Sequence, residues 1–332
     1  MRHARPDFHV DAMAWSLICG LAVTCGVLGP ALGFGVLLGR AVLPGIGLAV
    51  LAGALAIGRR RGNARLTAGA TAFLQMTLFT ILGVVLTYLL AARAGPLWDA
   101  ELAAADARLG LVWPTIFAAA DRMPAALLMI GGVAYHSLVL QMVVSIVLLA
   151  GAGRLQRLRI MVAAAILSGT VTVLVSGLAP AIGNLFDPHH YRTLWPSVAW
   201  LDRDLVLRLR DGTLRQVDLS HMTGIVSFPS YHATLPVILV WGLRPFSRLR
   251  APATVWAGLT IIATPLFGGH YVVDVLAGLL LAIAGLAVAA RLPSASAEGL
   301  LQPKLCGTPA PRTAGLHRIG SKDGVGVVHD LV

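Results

Sequence analysis

The chain has 332 residues, of which 57% are hydrophobic and only 12% are charged, and its mean hydropathy is +0.79. About a quarter of the residues in an average water-soluble domain are charged, so this composition excludes an ordinary soluble fold. The net charge of +11 does not indicate nucleic-acid binding, because the arginines cluster in short loops beside apolar segments, where membrane topology explains them.

Apolar segments of about 20 residues, long enough to cross a bilayer as helices, recur almost from end to end, and we count about eight. In chain order they cover residues 13–37, 40–58, 66–94, 123–151, 158–183, 226–243, 253–269 and 271–291. Stretches such as residues 66–90 are apolar on all sides, whereas the strands of an outer-membrane barrel alternate. The sequence therefore predicts an all-α polytopic transmembrane bundle over residues 1–291.

The two ends of the chain are predicted to differ. Residues 1–11 lead into the first apolar segment without the cleavage site of a signal peptide, so we expect a retained signal anchor. Residues 292–332 are rich in Pro, Ser, Gly and scattered charge, and such a stretch buries too little apolar surface to fold. We predict that they form a flexible tail.

Three short loops contain ten arginines and no acidic residue: residues 59–65, 154–159 and 244–250. With eight spans, these loops fall on one side of the membrane, while the segments 95–122 and 184–222 on the other side mix arginine with Asp and Glu. Short cytoplasmic loops are enriched in Lys and Arg, so we expect the basic loops and both termini to be cytoplasmic. The protein is expected to be a multi-pass protein of a bacterial inner or plasma membrane.

Of the 15 acidic residues, only Asp274 lies within an apolar segment. A carboxylate in lipid costs at least a few kcal/mol, so it should face a polar cavity and have a partner. His270 precedes it by four residues, and on a helix the two side chains share one face. The carboxylate can then accept a hydrogen bond from the imidazole, which leaves the other ring nitrogen free to act as a base or nucleophile.

A second histidine, His232, lies in the segment SFPSYHATLPVILVWGL. Ser227 is expected to cap the helix that starts here, and Pro229 suits its first turn. A helix N-terminus favours a phosphate group. Because this helix crosses the membrane and the next one returns to His270, both histidines are predicted to meet at one face, which is extracytoplasmic in the orientation above.

Other interpretations of these residues remain open. His270 and Asp274 could form a structural hydrogen bond, bind a metal together with His232, or act as the proton relay of a transporter. His232 alone could be a histidine of the core. A transporter is expected to show broken helices in matching halves of a repeat, which the sequence does not indicate. The combination of both histidines at one face favours catalysis.

FPSYHA, followed about 40 residues later by GGHYVVDVLAG, resembles the second and third signature motifs of the type 2 phosphatidic acid phosphatase superfamily. It looks most like the branch that contains inositol-phosphorylceramide synthases. The resemblance covers residues 224–278, with weaker support from PLWDAELAAADARLGLVWP and AYHSLVLQ upstream. It implies that His270 attacks phosphorus to form a phosphohistidine, that Asp274 orients His270, and that His232 protonates the departing alkoxide. It implies neither a metal nor a cofactor.

The sequence departs from the superfamily's general pattern at the groups that hold phosphate. Thr264 replaces the arginine expected six residues before the third-motif histidine, and the first motif, a Lys followed by Arg-Pro, is not recognisable. We predict that Arg192 clamps the phosphate, since a guanidinium binds it through two parallel hydrogen bonds, with His189 and His190 beside it. A solvated loop arginine is the alternative. Ser230 is expected to contact phosphate through its amide and hydroxyl groups.

The resemblance implies a membrane-embedded lipid phosphatase that hydrolyses a phosphate monoester or pyrophosphate of a lipid. Transfer of a phospholipid head group to a lipid alcohol is the alternative, because the same phosphoenzyme serves both reactions, and a proton-coupled transporter is the second alternative. The expected partners are a lipid phosphate substrate and membrane lipids, and not nucleic acid. The sequence does not indicate an oligomeric state.

Overall fold

A computed structural model describes residues 10–292, which form one compact unit with twelve α-helices. They are α1 (Val10–Ala31), α2 (Val42–Arg60), α3 (Ala64–Ala91), α4 (Asp99–Arg108), α5 (Trp113–Asp121), α6 (Ala125–His136), α7 (Leu138–Gly151), α8 (Leu155–Leu178), α9 (Val198–Arg210), α10 (Tyr231–Leu243), α11 (Ser247–Ala263) and α12 (Val272–Arg291). Within these residues the strands are β1 (Gly35–Val36) and β2 (Gln216–Val217), which pair in parallel. The all-α prediction is confirmed. The predicted tail from residue 293 onwards lies outside the described residues.

Six helices are long and apolar enough to cross a membrane: α1, α2, α3, α8, α12, and α11 together with the π-helical turn Thr264–Gly268. Counting each of two bent helix pairs as one span raises the number to eight. One pair, α6 with α7, is bent by 55° at Ser137, so the predicted span 123–151 consists of two helices. The 13-residue α10 corresponds to the predicted span 226–243.

The other bent pair, α4 with α5, lies in the segment 95–122 that the sequence analysis treated as a loop. The two helices meet at 80°. Hydropathy overlooked α4 because it is too polar for a span. Its alanines nevertheless favour a helix, and Asp99 and Glu101 in its first turn stabilise the helix dipole.

The helix α8 lies at the centre of the bundle and contacts α1, α3, α7, α10 and α12. More than half of its residues are buried, including the run Ala163–Ala165. Small side chains let neighbouring helices approach closely, and Gly285 of α12 packs directly against Ser168 of α8. This core fixes α10 and α12, which carry the two candidate motifs.

The arginine-rich loops lie at one end of the bundle. The guanidinium of Arg157 stacks 4.1 Å from the ring centroid of Trp241 and donates to the carbonyl groups at the end of α10. Arg65 packs beside Gly153, and Arg159 forms a 3.1 Å ion pair with Asp11 at the start of α1. The prediction that these loops share one side is confirmed.

A cap of shorter elements covers the other end of the bundle. It consists of α4, α5, α9, the two strands and the segments that join them. Arg40 and Asp218 connect the two strand regions through an ion pair of 2.6 Å, and Tyr88 of α3 bonds the backbone of Thr223. The cap lies over the N-terminal ends of α10 and α12.

Candidate active site

His232 and His270 lie together under this cap. His232 is the second residue of α10, and His270 lies two residues before α12. Their ring centroids are 6.2 Å apart, with the ring planes inclined by 49°. The prediction that both histidines meet at one face is confirmed.

His270 is not on a helix, contrary to the sequence analysis. The preceding residue, Gly269, adopts a left-handed conformation with φ of 77° and separates the π-helical turn from α12. A side chain at this position would be strained and would collide with Ala199. The predicted spans 253–269 and 271–291 do separate at His270, whereas the pairing of His270 with Asp274 assumed that both residues lie on one helix.

The Nδ1 atom of His270 lies 2.9 Å from the carbonyl oxygen of Ser227 and 3.5 Å from Oδ2 of Asp274. A carbonyl oxygen can only accept, so Nδ1 carries the proton and donates to Ser227. The neutral ring then has its lone pair on Nε2, which is the form that a nucleophile requires. The carboxylate is close enough to stabilise a positive charge that develops on the ring.

Asp274 is buried in the first turn of α12, and one of its oxygens has two strong donors. Oδ2 accepts 2.8 Å from the Ser227 hydroxyl and 3.0 Å from the backbone N–H of Tyr271. The other oxygen, Oδ1, is buried and has no hydrogen-bond partner among the described residues. Asp274 thus holds the start of α12 and joins it to the segment before α10.

Ser230, not Ser227, caps α10. The Ser230 hydroxyl accepts from the backbone N–H of Ala233 at 3.3 Å, and its own N–H donates to the carbonyl of Asp274 at 3.0 Å. The predicted cap at Ser227 is wrong, because that hydroxyl donates to Asp274 and the helix begins only at Tyr231. The phosphate contact of Ser230 stays a prediction.

Tyr135 of α6 fixes the plane of the His232 ring. The two rings are stacked with centroids 4.4 Å apart and an angle of 17° between their planes. Gly268 keeps this arrangement possible, since a side chain there would collide with the Tyr135 hydroxyl and with the His270 ring.

The two imidazoles line a cavity of about 30 Å³ whose other polar walls are Tyr135, Ser227 and Asp202. This volume admits about one or two water molecules, so a phosphoryl group needs the walls to move apart. In the part of the chain that the structure describes, no lysine or arginine lines the cavity. The site is therefore built from imidazoles and carboxyl groups.

Asp202 of α9 was not singled out by the sequence analysis. Its Oδ2 atom is buried without a partner among the described residues. Burial raises the pKa of Asp202, and a hydrogen bond from the Thr223 side chain acts in the opposite direction. The available signal was helical periodicity in VAWLDRDLVLRLR, which places Ala199, Val206 and Leu209 on a buried face.

The three predicted phosphate-binding residues of the segment before α9 do not line this cavity. Arg192, His189 and His190 are exposed. The backbone N–H of Arg192 donates to Asp121 at 2.9 Å, and His190 Nδ1 lies 3.6 Å from a carboxylate oxygen of Asp187. Their contact with a substrate remains a prediction.

The sequence profile of the PAP2 superfamily matches residues 100–288, more than half of the chain. The chain belongs to the PAP2 superfamily. No curated protein and no solved structure matches it. Membership supports a phosphatase-type function for this chain, and the matched region contains both histidines, Asp274 and Asp202.

Two aspartates of α4 hold the cap of this PAP2 protein onto the site. Asp106 accepts from the N–H groups of Val272 and Val273 at 2.8 and 2.9 Å and from the Trp113 indole at 2.9 Å. Asp99 accepts from the N–H groups of Ile182 and Gly183. Since the first N–H groups of α12 are bonded to Asp106, a phosphate group has no free amides at this helix end.

Thr264, where the superfamily pattern has an arginine, is fully buried in this PAP2 protein. Its hydroxyl donates to the carbonyl oxygen of Thr260 at 2.8 Å. The position therefore serves the bend at the end of α11, and a cation there would have to be buried without a partner.

A second cavity, apolar and of about 140 Å³, lies between α3, α8 and α10. Its walls include Phe79, Val173 and Tyr231, and it shares His232, Gly224 and Val226 with the polar cavity. The apolar cavity and the polar cavity are therefore both lined by the imidazole of His232.

Proposed function

We propose that this PAP2 superfamily protein is a membrane-embedded lipid phosphatase that hydrolyses a phosphate monoester or pyrophosphate of a lipid through a phosphohistidine on His270. The observation that carries the proposal is the pair of imidazoles 6.2 Å apart, one of which donates through Nδ1 and lies beside a buried carboxylate. A nucleophile next to a proton donor is the arrangement that a double displacement requires.

In the first step, Nε2 of His270 attacks phosphorus while the bond from phosphorus to the leaving oxygen breaks. Protonated His232 gives its proton to that oxygen. In the second step, a water oxygen attacks phosphorus, the bond between nitrogen and phosphorus breaks, and its electron pair returns to Nε2. His232 takes the proton of the water and is ready for the next cycle. Asp274 stabilises the cationic phosphoimidazole by its negative charge.

The apolar cavity beside His232 supports a lipid as the substrate. It lies between membrane-spanning helices and adjoins the polar cavity along Gly224 and Val226. A phosphate ester bound at the two histidines can therefore extend its hydrocarbon chain into this space, where burial of apolar surface is favourable.

Transfer of a phospholipid head group to a lipid alcohol, as in inositol-phosphorylceramide synthases, is the second candidate. A further apolar cavity of about 380 Å³ lies on the α6, α7, α10 and α11 side, with Gln141, Pro236 and Trp256 among its walls. This space shares no lining residue with the polar cavity, and the transferase candidate requires a second lipid to reach the histidines from it. The acceptor alcohol then replaces water in the second step.

The test uses the purified full chain in detergent. Phosphatidic acid alone should release inorganic phosphate, whereas a phospholipid donor with a lipid alcohol tests transfer. Rapid acid-free denaturation should trap acid-labile phosphate on His270, and His270→Ala should lose both this phosphate and turnover. Transfer without release from phosphatidic acid would replace the phosphatase by the transferase. Full turnover in His270→Ala would refute both.

We also propose that the site faces the extracytoplasmic side. The arginine-rich loops lie at the end of the bundle away from the two histidines, and such loops favour the cytoplasm. Labelling of single cysteines introduced at Arg60 and at His221 in intact cells, with a membrane-impermeant reagent, tests this. Labelling at residue 60 alone would reverse the orientation.

A further inference from the structure

Asp202 stands out among the carboxyl groups that the mechanism above does not use. It lies on α9 and lines the cavity that contains both imidazoles. Its Oδ2 atom is buried and has no hydrogen-bond partner among the described residues. Buried polar atoms in native proteins are nearly always paired, so an unpartnered oxygen on a residue that lines this cavity points to a ligand as its partner.

The charged and titratable groups around this oxygen determine which protonation state of Asp202 can bind a phosphoryl group. The other titratable groups that line the cavity are Tyr135, His232 and His270, and no lysine or arginine joins them in the part of the chain that is described. An ionised carboxylate would repel a phosphoryl oxygen strongly in this poorly solvated space. A protonated carboxyl group would instead donate its O–H to that oxygen.

Two effects favour the protonated form. Burial raises the pKa of Asp202 in the protein alone, with only the Thr223 side chain acting against it. A negatively charged phosphoryl group at contact distance raises it further, because like charges disfavour ionisation. Binding of the phosphoryl group and protonation of Asp202 therefore support each other.

We propose that Asp202 is a substrate-binding residue that, as a neutral carboxylic acid, donates a hydrogen bond to a non-bridging phosphoryl oxygen. The inference rests on the proposed phosphohistidine chemistry, and no bond to phosphorus changes through Asp202. The proton stays on its carboxyl group throughout. In this protein the carboxylic acid supplies part of the phosphate binding for which Thr264 offers no cation.

The experiment measures binding of orthovanadate, a mimic of the phosphoryl group in transfer, to the full chain in detergent. The variants are Asp202→Ala, which removes the donor, and Asp202→Asn, which keeps a neutral donor. Asp204→Asn is the control, since Asp204 is exposed on the same helix. Thermal midpoints establish that each variant is folded, and trapping of phosphate on His270 is measured in parallel.

We expect Asp202→Ala to weaken vanadate binding by about tenfold or more, the loss of one hydrogen bond to a charged group. Asp202→Asn and Asp204→Asn should bind about as well as the wild type. As pH rises through the pKa of Asp202, the wild type should lose affinity relative to Asp202→Asn, because only the wild type loses its donor and gains a repelling charge.

Two results would overturn the proposal. Binding by Asp202→Ala equal to the wild type removes the contact, and Asp202→Asn as weak as Asp202→Ala shows that an ionised carboxylate is needed. These failures are distinct from failure of the proposed function. If the wild type forms phosphohistidine while its Asp202 variants bind normally, only the role of Asp202 falls, whereas absence of phosphohistidine and of vanadate binding in the wild type removes both.

Discussion

The carboxyl groups of α4 and those beside the two histidines differ in how they are paired. In the cap, both oxygens of Asp106 accept hydrogen bonds, and each oxygen of Asp99 accepts a backbone N–H. Beside the histidines, Asp274 next to His270 and Asp202 on the cavity wall each keep one buried oxygen without a partner among the described residues. The two regions are in contact, so they share the same general environment and differ in their local bonding.

This difference separates a structural role from a chemical one. A carboxylate whose oxygens are filled by backbone donors holds chain segments together. A buried oxygen with no donor is costly in the folded protein, and such a cost is typical of sites where a ligand completes the bonding. The same Asp→Asn substitution should therefore lower stability in the first region and lower activity in the second.

The largest effect in this comparison is expected for Asp274→Asn. The amide can still accept from the Ser227 hydroxyl and the Tyr271 N–H through one oxygen, so the fold should persist. The negative charge 3.5 Å from the His270 ring is lost, and with it the stabilisation of the phosphoimidazole. We expect kcat to fall by about a hundredfold or more, measured with the substrate that the wild type converts.

The control for Asp274→Asn is its thermal midpoint in detergent, which should stay near that of the wild type. A normal kcat in this variant would show that Asp274 has a structural role, like Asp106 and Asp99. The comparison between the two regions would then lose its main example.

The next effect, on stability, is expected for Asp106→Asn. Asp106 accepts three hydrogen bonds, from the Trp113 indole and from the N–H groups of Val272 and Val273. In the asparagine variant the side-chain NH₂ group replaces one oxygen and cannot accept, so at least one of these hydrogen bonds is lost. Loss of a buried hydrogen bond costs about 1–3 kcal/mol, so the thermal midpoint should fall. Turnover per folded molecule should change little by comparison with Asp274→Asn. A dead enzyme with an unchanged midpoint would assign Asp106 to the chemistry.

The meeting of the histidines followed from the sequence because it depends on counting helices. His232 and His270 are separated by one outgoing and one returning helix, so their common face needs no knowledge of packing. Asp274, the one acidic residue within the predicted apolar segments of the sequence, was equally visible, since burial of a carboxylate is expensive.

Other parts of the site depend on contacts between distant segments and could not be predicted in this way. Ser227 looked like a helix cap, but its hydroxyl bonds Asp274, which lies 47 positions later. Asp202 was hidden in a segment of mixed charge, and its place in the cavity is set by how α9 packs within the cap. The predicted spans separate between residues 269 and 271, but the left-handed angle at Gly269, which takes His270 off the helix, is a detail that hydropathy does not report.

The smallest effect on activity is expected for substitution of Arg192, an exposed residue of the segment before α9. Its backbone N–H donates to Asp121, and Arg192→Ala keeps that N–H, so the substitution tests the exposed guanidinium alone. If Arg192 attracts or clamps the anionic head group, KM should rise by about fivefold or less, because exposed charge pairs contribute little, while kcat stays unchanged. Arg108→Ala, at an exposed arginine of α4, is the matched control.

A large fall in kcat for Arg192→Ala alone would mean that the segment 187–195 closes over the cavity when substrate binds. The phosphate site would then extend from the cavity into the cap.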